Sequence, residues 1–233
     1  MILHMNEQFK RIILDIRDLQ KSPIENIHYF PLEEDITIGH AVVFGPEGTP
    51  YEHGNYLFKF HFPKEYPYEP PKLTYLTNDG QTRFNPNFYR DGKVCLSLLN
   101  TWQGEKWSAC QSIRSILITL QMTMNEKPLL NEPGINEDMY FSSIRKYNRL
   151  IAFKNVELTI VHYNESSQHI PIQREEIKQV ISEHFSYTRD KVIERVQSHI
   201  GQSYDKSIIR LNLYSQNAYI DYERLFRELN AIE

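Results

Sequence analysis

The feature that most constrains this chain is a stretch without hydrophobic periodicity, residues 76–107, which separates a predicted strand from a predicted helix. Loops without regular structure that exceed roughly 12–15 residues are usually either functional or disordered. This stretch is too apolar for disorder, because it contains five aromatic residues: Phe84, Phe88, Tyr89, Trp102 and Trp107. We therefore expect an ordered loop that carries the function of the protein.

The regions on either side of this loop predict an α+β fold. Residues 5–20 carry apolar side chains at helical spacing, which indicates an amphipathic N-terminal helix. Residues 27–75 contain short alternating runs separated by turns rich in glycine and proline, a pattern typical of an antiparallel meander of about four strands. Helical spacing returns in residues 113–124 and 137–154, so we assign one domain to residues 1–154.

The remaining part of the chain, residues 155–233, is predicted to be a helical C-terminal extension. One helix is expected after Pro171, and a second is expected between a cap at Thr188 and a stop at Gly201. Residues 221–228 predict a last helix, since apolar side chains again recur at helical spacing.

The composition argues against several functional classes. The 233 residues include 26 lysines and arginines against 30 aspartates and glutamates, a net charge of −4, with no long run of either sign. Nucleic-acid-binding proteins usually show a basic surplus or stripe, so no nucleic-acid partner is expected. Two cysteines without a CxxC pair predict no disulfide framework, and nine scattered histidines, none at ligand spacing from a carboxylate or a cysteine, predict no metal site.

The sequence also predicts a soluble protein of a reducing compartment, in the cytoplasm or the nucleus. Residues 1–20 lack the apolar core of a signal peptide, and no apolar run reaches membrane-spanning length. No membrane partner is therefore expected.

The candidate reactive residue is Cys95, which lies in the sequence RFNPNFYRDGKVCLSLLNTW. Free cysteines are often buried core residues, and that alternative stays open. The turn signal at Asp91-Gly92 places Cys95 in the ordered loop rather than on the face of a strand. No histidine lies in this stretch, so no neighbouring base is present to activate the thiol for amide hydrolysis.

Exchange between thioesters needs less activation, because one sulfur leaving group replaces a similar one. The remaining requirement is stabilisation of the oxyanion in the tetrahedral intermediate, which a neutral side-chain amide does well. Asn87 is the candidate donor, Pro86 would fix the turn that aims it, and Asn85 would hydrogen-bond the nearby backbone. The loop therefore suits a carrier of an acyl thioester better than a hydrolase. Such a carrier needs a sulfur that is reachable from solvent, so we expect the Cys95 thiol to be open.

Over residues 5–153 the sequence resembles the ubiquitin-conjugating enzymes. The motifs that carry this resemblance occur in the family's order, and a tryptophan and a helix follow them: GPEGTPYEHG (45–54), FPKEYPYEPPK (62–72), FNPN (84–87) and GKVCLSLL (92–99). The spacing from Asn87 to Cys95 also matches the family. Such a set is far more specific than any one motif, and it implies the fold and the acyl-transfer activity of that family.

The resemblance implies a role for each residue of the site. Cys95 would accept the C-terminal glycine of ubiquitin or a ubiquitin-like modifier as a thioester, and Asn87 would stabilise the oxyanion when a substrate lysine attacks. Asn85 stands where the family usually has a histidine, at a position that shapes the loop. Glu132, or Asn131 under a one-residue shift of the alignment, would orient the lysine and help to deprotonate it.

The long extension, together with GKVCLSLLNTW and NEPG, resembles most the large branch of the family that contains ubiquitin-conjugating enzyme Z. The resemblance implies four kinds of partner: ubiquitin or a ubiquitin-like modifier, a ubiquitin-activating enzyme, a RING-type ubiquitin ligase and protein substrates. It implies no metal and no organic cofactor, since ATP is used by the partner activating enzyme.

Phe62, Ser108 and Ala109 match the surface on which the family binds RING-type ligases. We expect Phe62 to be an exposed aromatic anchor, although an exposed loop without a partner is the alternative. Cys110 begins the helix after the site and is expected to be a small core residue rather than a second nucleophile.

Two other functions remain open at this point. A non-catalytic module of the same fold would present ubiquitin without carrying it, although such variants lack the cysteine that is present here. A cysteine hydrolase would need a histidine that the fold brings to Cys95, such as His53 or His61.

Overall fold

The structure, a computed structural model, describes residues 6–232. Within these residues one sheet has four antiparallel strands in chain order: β1 (Ile27–Pro31), β2 (Ile38–Phe44), β3 (Asn55–His61) and β4 (Lys72–Tyr75). The α-helices are α1 (Glu7–Lys21), α2 (Ile113–Thr123), α3 (Glu137–Lys154), α4 (Tyr163–Glu165), α5 (Glu175–His199) and α6 (Tyr222–Ala231). None of the helices in this part of the chain has the length and apolarity needed to cross a membrane. The arrangement confirms the predicted α+β fold with its N-terminal helix and four-stranded meander.

The first helix begins and ends where the sequence provides local stop signals. The side chain of Asn6 caps it by accepting a hydrogen bond from the backbone N–H of Gln8 at 3.2 Å. The helix ends at Lys21, two residues before Pro23, because the residue before a proline disfavours helical backbone. The predicted helix is thus confirmed, although its first predicted residue, Met5, lies outside the described residues.

Both faces of the four-stranded sheet are buried. Consecutive side chains of a strand point to opposite faces, so Ala41 and Val43 of β2 enter the main core. Val42 and Phe44 pack instead into a second apolar cluster on the other face, which includes Ile177 of α5. Residues 41–44 can therefore be apolar at four consecutive positions, because the C-terminal extension covers the face that would otherwise contact water.

The helices of the extension differ from the prediction. Residues 175–199 form the single helix α5, where two helices were predicted, and Thr188 lies inside it rather than at a cap. The Thr188 hydroxyl donates to the backbone carbonyl of His184 at 2.8 Å, which satisfies the hydroxyl without ending the helix. The stop at Gly201 is confirmed, since Gly201 follows the C-cap of α5 with a left-handed φ of 76°.

The extension is also not wholly helical, which corrects the prediction for residues 155–233. Between α5 and α6 the chain forms an antiparallel hairpin of β5 (Ser207–Leu211) and β6 (Gln216–Ile220). Its inward side chains belong to the main core: Ile209, Leu211, Ala218 and Ile220. The alternation in each strand is only five residues long, so it was too short to stand out from the surrounding polar residues.

The junction between the two predicted parts is a continuous helical segment. Helix α3 passes directly into a π-helix, Asn155–His162, whose first residue is buried against the loop between β2 and β3. The Asn155 side chain donates to the Glu52 carbonyl at 3.0 Å and accepts from the Tyr56 hydroxyl at 2.6 Å. Gly54 leaves room for this amide, since a Cβ at that position would lie 1.8 Å from Asn155 Oδ1.

Replacing Asn155 with alanine should lower the free energy of unfolding by roughly 2–4 kcal/mol, because the buried Tyr56 hydroxyl and the part-buried Glu52 carbonyl would lose their partner. Urea denaturation followed by circular dichroism measures this loss. The matched control is Asn217→Ala at an exposed position of β6, which should change the value by less than about 0.5 kcal/mol. Equal losses in the two variants would contradict a specific role for Asn155.

Candidate active site

Asn87 and Cys95 lie side by side and are joined by two hydrogen bonds. The backbone N–H of Cys95 donates to the Asn87 carbonyl at 2.9 Å, and the Asn87 side-chain amide donates to the Cys95 carbonyl at 2.7 Å. A β-bridge between Phe88 and Val94 continues this pairing toward the turn. The eight-residue spacing in the sequence is therefore the spacing of a small irregular hairpin with the two candidate residues at its open end.

Gly92 makes the turn of this small hairpin possible. Its φ of 86° lies in the left-handed region, and its backbone N–H donates to the Tyr89 carbonyl at 3.0 Å. A Cβ at Gly92 would also lie 3.0 Å from the backbone oxygen of Tyr75. The hairpin is attached to the main sheet at this point, because the Tyr75 N–H donates to the Gly92 carbonyl at 2.8 Å.

Asn85 is fully buried and holds the loop to the rest of the domain. Its side-chain nitrogen donates to the Tyr51 hydroxyl and to the Thr123 carbonyl, each at 2.8 Å. Its side-chain oxygen accepts from the Asn87 backbone N–H at 2.9 Å. Burial raises the pKa of Tyr51 well above its ordinary value, so that hydroxyl stays protonated and donates to the Phe84 carbonyl at 2.8 Å. These contacts describe a residue that shapes the loop, the part that the family resemblance implies for it.

The buried Arg83 also holds this segment, and the sequence reasoning missed it. Its guanidinium donates to the carbonyls of Asn85 at 3.1 Å and Pro86 at 2.6 Å, and it lies 3.2 Å from the centre of the Tyr89 ring. The stacked position leaves the planar guanidinium free to donate along its edge. A lone arginine before an asparagine motif carries no sequence signal for such a contact.

Cys95 is less accessible than we expected. We predicted a thiol open to solvent, whereas the residue is only 2% exposed and Asn87 is buried beside it. The segment after the cysteine folds back over itself, since the Thr101 hydroxyl bonds both Val94 and Leu96 backbone groups. The expectation of an open thiol is therefore wrong for this conformation, and a reagent can reach the Cys95 sulfur only after a local movement of the loop.

The Asn87 amide nonetheless points toward Cys95. Its nitrogen carries two N–H groups, and among residues 6–232 the Cys95 carbonyl is the one acceptor bonded to it. The Asn87 side-chain oxygen is buried without a hydrogen-bond partner in the same part of the chain. An amide held at one edge, with an unused N–H, is suited to bind an oxyanion formed next to it.

The structure separates the two candidates in the NEPG motif. Asn131 faces the buried network, where its amide donates to the Thr123 carbonyl at 2.9 Å and approaches the Asn85 side-chain oxygen at 3.5 Å. Glu132 is half-buried, and its carboxylate accepts a hydrogen bond from the Tyr214 hydroxyl. Only Glu132 presents a carboxylate, so it remains the candidate acidic residue, and its partner comes from the C-terminal hairpin.

No histidine of residues 6–232 hydrogen-bonds the Cys95 sulfur. His53 is buried beside Glu52 and packs near the His184 ring, and His61 is exposed at the end of β3. A hydrolase needs an imidazole within hydrogen-bond reach of the nucleophile. The geometry of the described residues gives the hydrolase alternative no such base.

One group of side chains corrects the expectation that no histidine lies at ligand distance from a carboxylate. His162, Glu165 and His169 have ligand atoms within 4.8 Å of one another, because the helical turn between them shortens the distance along the chain. The two imidazole rings stack in parallel, with centroids 3.8 Å apart and planes at 7°. The in-plane lone pairs of the two rings therefore lie in two separate, parallel planes and do not meet at one ion, so this arrangement is not a formed metal site.

The predicted ligase-binding residues need one correction. Phe62 is only 2% exposed, since its ring stacks on Phe60 at 6.1 Å and meets Tyr66 edge to face at 4.8 Å. Phe62 is thus a core residue and not an exposed anchor. The exposed aromatic residue of the same motif is Tyr68, which is 66% exposed, and the signal for it was the second tyrosine in FPKEYPYEPPK.

The other two predicted residues lie near this loop. Trp107 donates from its indole nitrogen to the Pro67 carbonyl at 2.7 Å, which joins the two loops, and Ser108 is exposed next to it. The carbonyl of Ala109 accepts from Arg11 of α1 at 2.7 Å. Cys110 was expected in the core but is exposed, because α2 begins only at Ile113 and Cys110 lies in the preceding turn.

Comparison with known proteins defines the class to which this fold and site belong. The family model for the ubiquitin-conjugating enzyme matches residues 11–156, which include the sheet, the Asn87–Cys95 hairpin and helix α3. The chain belongs to the ubiquitin-conjugating enzyme family.

Individual relatives narrow the likeness within the family. The chain is 40% identical over 167 residues to the ubiquitin-conjugating enzyme E2 Z of Xenopus tropicalis, covering 71% of this chain and 53% of that protein. It is 43% identical over 151 residues to the E2 Z of Homo sapiens, covering 64% of this chain and 43% of that protein. A probable ubiquitin-conjugating enzyme of Caenorhabditis elegans, protein 17, is 34% identical over 196 residues, or 75% of this chain and 27% of that protein. The chain thus resembles the E2 Z branch, and its matches span about half the length of the E2 Z relatives or less.

The different exposure of the two cysteines predicts two rates of alkylation. Exposed Cys110 should react with iodoacetamide as a free thiol, whereas Cys95 should react at least about tenfold more slowly, because it reacts only when the loop opens. Mass spectrometry of peptides after timed labelling measures both rates. In Cys110→Ser only the slow phase should remain. One fast rate shared by both thiols would mean that Cys95 is open in solution.

Proposed function

We propose that this protein accepts ubiquitin or a ubiquitin-like modifier from an activating enzyme as a thioester on Cys95 and transfers it to a substrate lysine. The observation that carries this proposal is the position of the Asn87 amide, which is hydrogen-bonded to the backbone of Cys95 at 2.7 Å and keeps a second N–H for an oxyanion. Membership of the ubiquitin-conjugating family supports the same reaction.

The two chemical steps place different demands on the site. In loading, the Cys95 sulfur attacks the thioester carbonyl carried by the activating enzyme, a new C–S bond forms, and the thiol of that enzyme leaves. The free energy changes little, because one thioester replaces another. In discharge, the lysine nitrogen attacks the carbonyl, the C–N bond forms, the C–S bond breaks and the amine loses a proton. Because the attacking amine must lose a proton, the groups that stabilise the oxyanion and receive this proton matter more in discharge than in loading.

Each residue around Cys95 has a proposed part in discharge. Asn87 donates its unused N–H to the oxyanion, and Asn85 keeps the Asn87 backbone in place by a hydrogen bond of 2.9 Å. Glu132 orients the lysine and receives its proton. Because Cys95 is nearly buried, loading also requires the loop that contains Thr101 to move aside.

The partners follow from this reaction. Tyr68 and Ser108, both exposed and close to the joint between Trp107 and Pro67, form the surface that we assign to a RING-type ligase. No metal or organic cofactor takes part in the proposed chemistry, and ATP is used by the activating enzyme. The site of action is the cytoplasm or the nucleus.

Incubation with a ubiquitin-activating enzyme, ATP and a panel of modifiers tests the proposal. A band shift that a reducing agent removes and that Cys95→Ala abolishes should appear with at least one modifier. Cys110→Ala is the matched control and should load normally, because Cys110 is exposed outside the site. Failure of every modifier to form an adduct would overturn the proposed reaction and favour a non-catalytic binding module.

Replacing Asn87 with alanine should slow discharge to free lysine by about 10²–10³, the usual loss for one oxyanion donor, with a loading rate that falls less than about tenfold. Single-turnover discharge of purified thioester, followed on non-reducing gels, gives the first rate, and a loading time course gives the second. Asn217→Ala on β6 should leave both rates unchanged. If Asn87→Ala slowed both steps equally, the residue would have only a structural role.

A further inference from the structure

The hairpin of β5 and β6 brings a turn of the C-terminal extension against the active-site loop. The backbone N–H of Arg83, which precedes the asparagine motif, donates to the side-chain oxygen of Gln216 at 2.8 Å. The Arg90 guanidinium donates to the backbone carbonyl of Tyr214 at 2.6 Å. Arg83 precedes Asn87 in the chain and Arg90 follows it. The tip of the hairpin is therefore hydrogen-bonded to both ends of the segment that contains Asn87.

The side chain of Tyr214 reaches from this tip to the candidate acidic residue. Its hydroxyl donates to Oε2 of Glu132 at 2.5 Å, although the two residues are 82 positions apart in the chain. Within residues 6–232 the other carboxylate oxygen, Oε1, accepts no protein hydrogen bond. The tyrosine thus fixes one edge of the carboxylate and leaves the other edge for a substrate amine.

The Tyr214 ring is itself held on two sides. The Arg83 guanidinium lies 5.3 Å from its centre, and the Tyr147 ring of α3 meets it edge to face at 6.2 Å. Tyr147 in turn donates to the Arg83 carbonyl at 2.8 Å. A ring held in this way can direct its hydroxyl to one point, which is the condition for a group that orients a neighbour.

The backbone at the tip is in an unfavourable conformation. Tyr214 has φ 66° and Ser215 has φ 47°, both in the left-handed region, where side chains with a Cβ are disfavoured by about 1–2 kcal/mol per residue. Glycine or asparagine would fill such positions at lower cost. Strained residues persist where the surrounding contacts fix them, and they cluster at functional sites. The hydrogen bonds of Tyr214 to Arg90 and Glu132 are the contacts that fix this one.

The hydroxyl of Tyr214 remains a donor throughout the physiological pH range. Burial is the main reason that its pKa lies far above the ordinary value, and the hydrogen bond and negative charge of Glu132 raise the pKa further. The Arg83 charge acts in the opposite direction and is too weak to reverse this. Since the phenol does not ionise, it can only donate to the carboxylate, and the direction of the bond is fixed.

We propose that Tyr214 is a positioning residue for the active site: it aims the Glu132 carboxylate at the lysine that attacks the Cys95 thioester. This inference rests on the proposed function. The C-terminal extension then supplies a working part of the site in addition to covering the sheet. Tyr214 acts only through Glu132, so its effect is confined to the step in which an amine must be oriented and deprotonated.

The test compares Tyr214→Phe with Tyr219→Phe, a tyrosine on the same hairpin whose side chain is exposed. The purified thioester of each variant is discharged to free lysine and, separately, to 2-mercaptoethanol, a thiol that needs no carboxylate to orient it. Tyr214→Phe should discharge to lysine roughly tenfold more slowly, a fold-change expected for loss of a hydrogen bond to a charged group. The rates at which Tyr214→Phe loads and discharges to the thiol should stay within about twofold of those of the unchanged protein. In Tyr219→Phe the rates of loading, of discharge to lysine and of discharge to the thiol should all stay within that limit.

A double-mutant cycle with Glu132→Ala separates positioning from packing. In the Glu132→Ala background, Tyr214→Phe should cause no further loss in the rate of lysine discharge, because no carboxylate remains for Tyr214 to orient. An undiminished tenfold loss in that background, an equal loss with the thiol, or no loss with lysine at all would overturn the inference. Absence of any thioester in the unchanged protein would instead overturn the proposed function on which the inference rests. Thermal melting of each variant verifies that the fold is intact.

Discussion

The pairing of Asn87 with Cys95 is the interaction on which the site depends. Each residue gives one backbone or side-chain N–H to a carbonyl of the other, at 2.9 and 2.7 Å, so neither can shift without breaking a buried hydrogen bond. Such bonds are costly to leave unmade in a dry environment. The same pair explains two features together, since it aims the amide at the cysteine and also holds the cysteine in a nearly buried position. A site built in this way is preorganised, and in the proposed reaction it must open before a large modifier reaches the sulfur.

Burial of both faces of the sheet is the second constraint, and one of these faces is covered by the C-terminal extension. Val42 and Phe44 point away from the main core, and they would form an exposed apolar patch without α5. The π-helix adds polar contacts at the start of β3, where Asn155 satisfies groups of Tyr56 and Glu52. The part of the chain that the family model covers, residues 11–156, is thus packed against residues beyond it.

The C-terminal hairpin packs in the main core and also contacts the candidate active site. Its inward residues belong to the main core, and its tip carries Tyr214 to Glu132 and Gln216 to Arg83. A hairpin anchored by apolar contacts at its base can hold a strained turn at its tip, because the base supplies the free energy that the turn lacks. The extension in this way contributes to the order of a loop that lies far from it in the sequence.

The sequence by itself determined the elements that depend on local pattern and pointed to the candidate site. Helix α1, the four-stranded meander and the Asn87-to-Cys95 spacing were all readable, because periodicity and turn residues act over a few positions. Only the tertiary structure decided which side chains are exposed. Phe62 proved buried, Cys110 exposed and Cys95 nearly covered, since exposure depends on what the rest of the chain places above each residue. The contact of Tyr214 with Glu132 has the same origin, because a hydrogen bond across 82 residues leaves no mark on either local sequence.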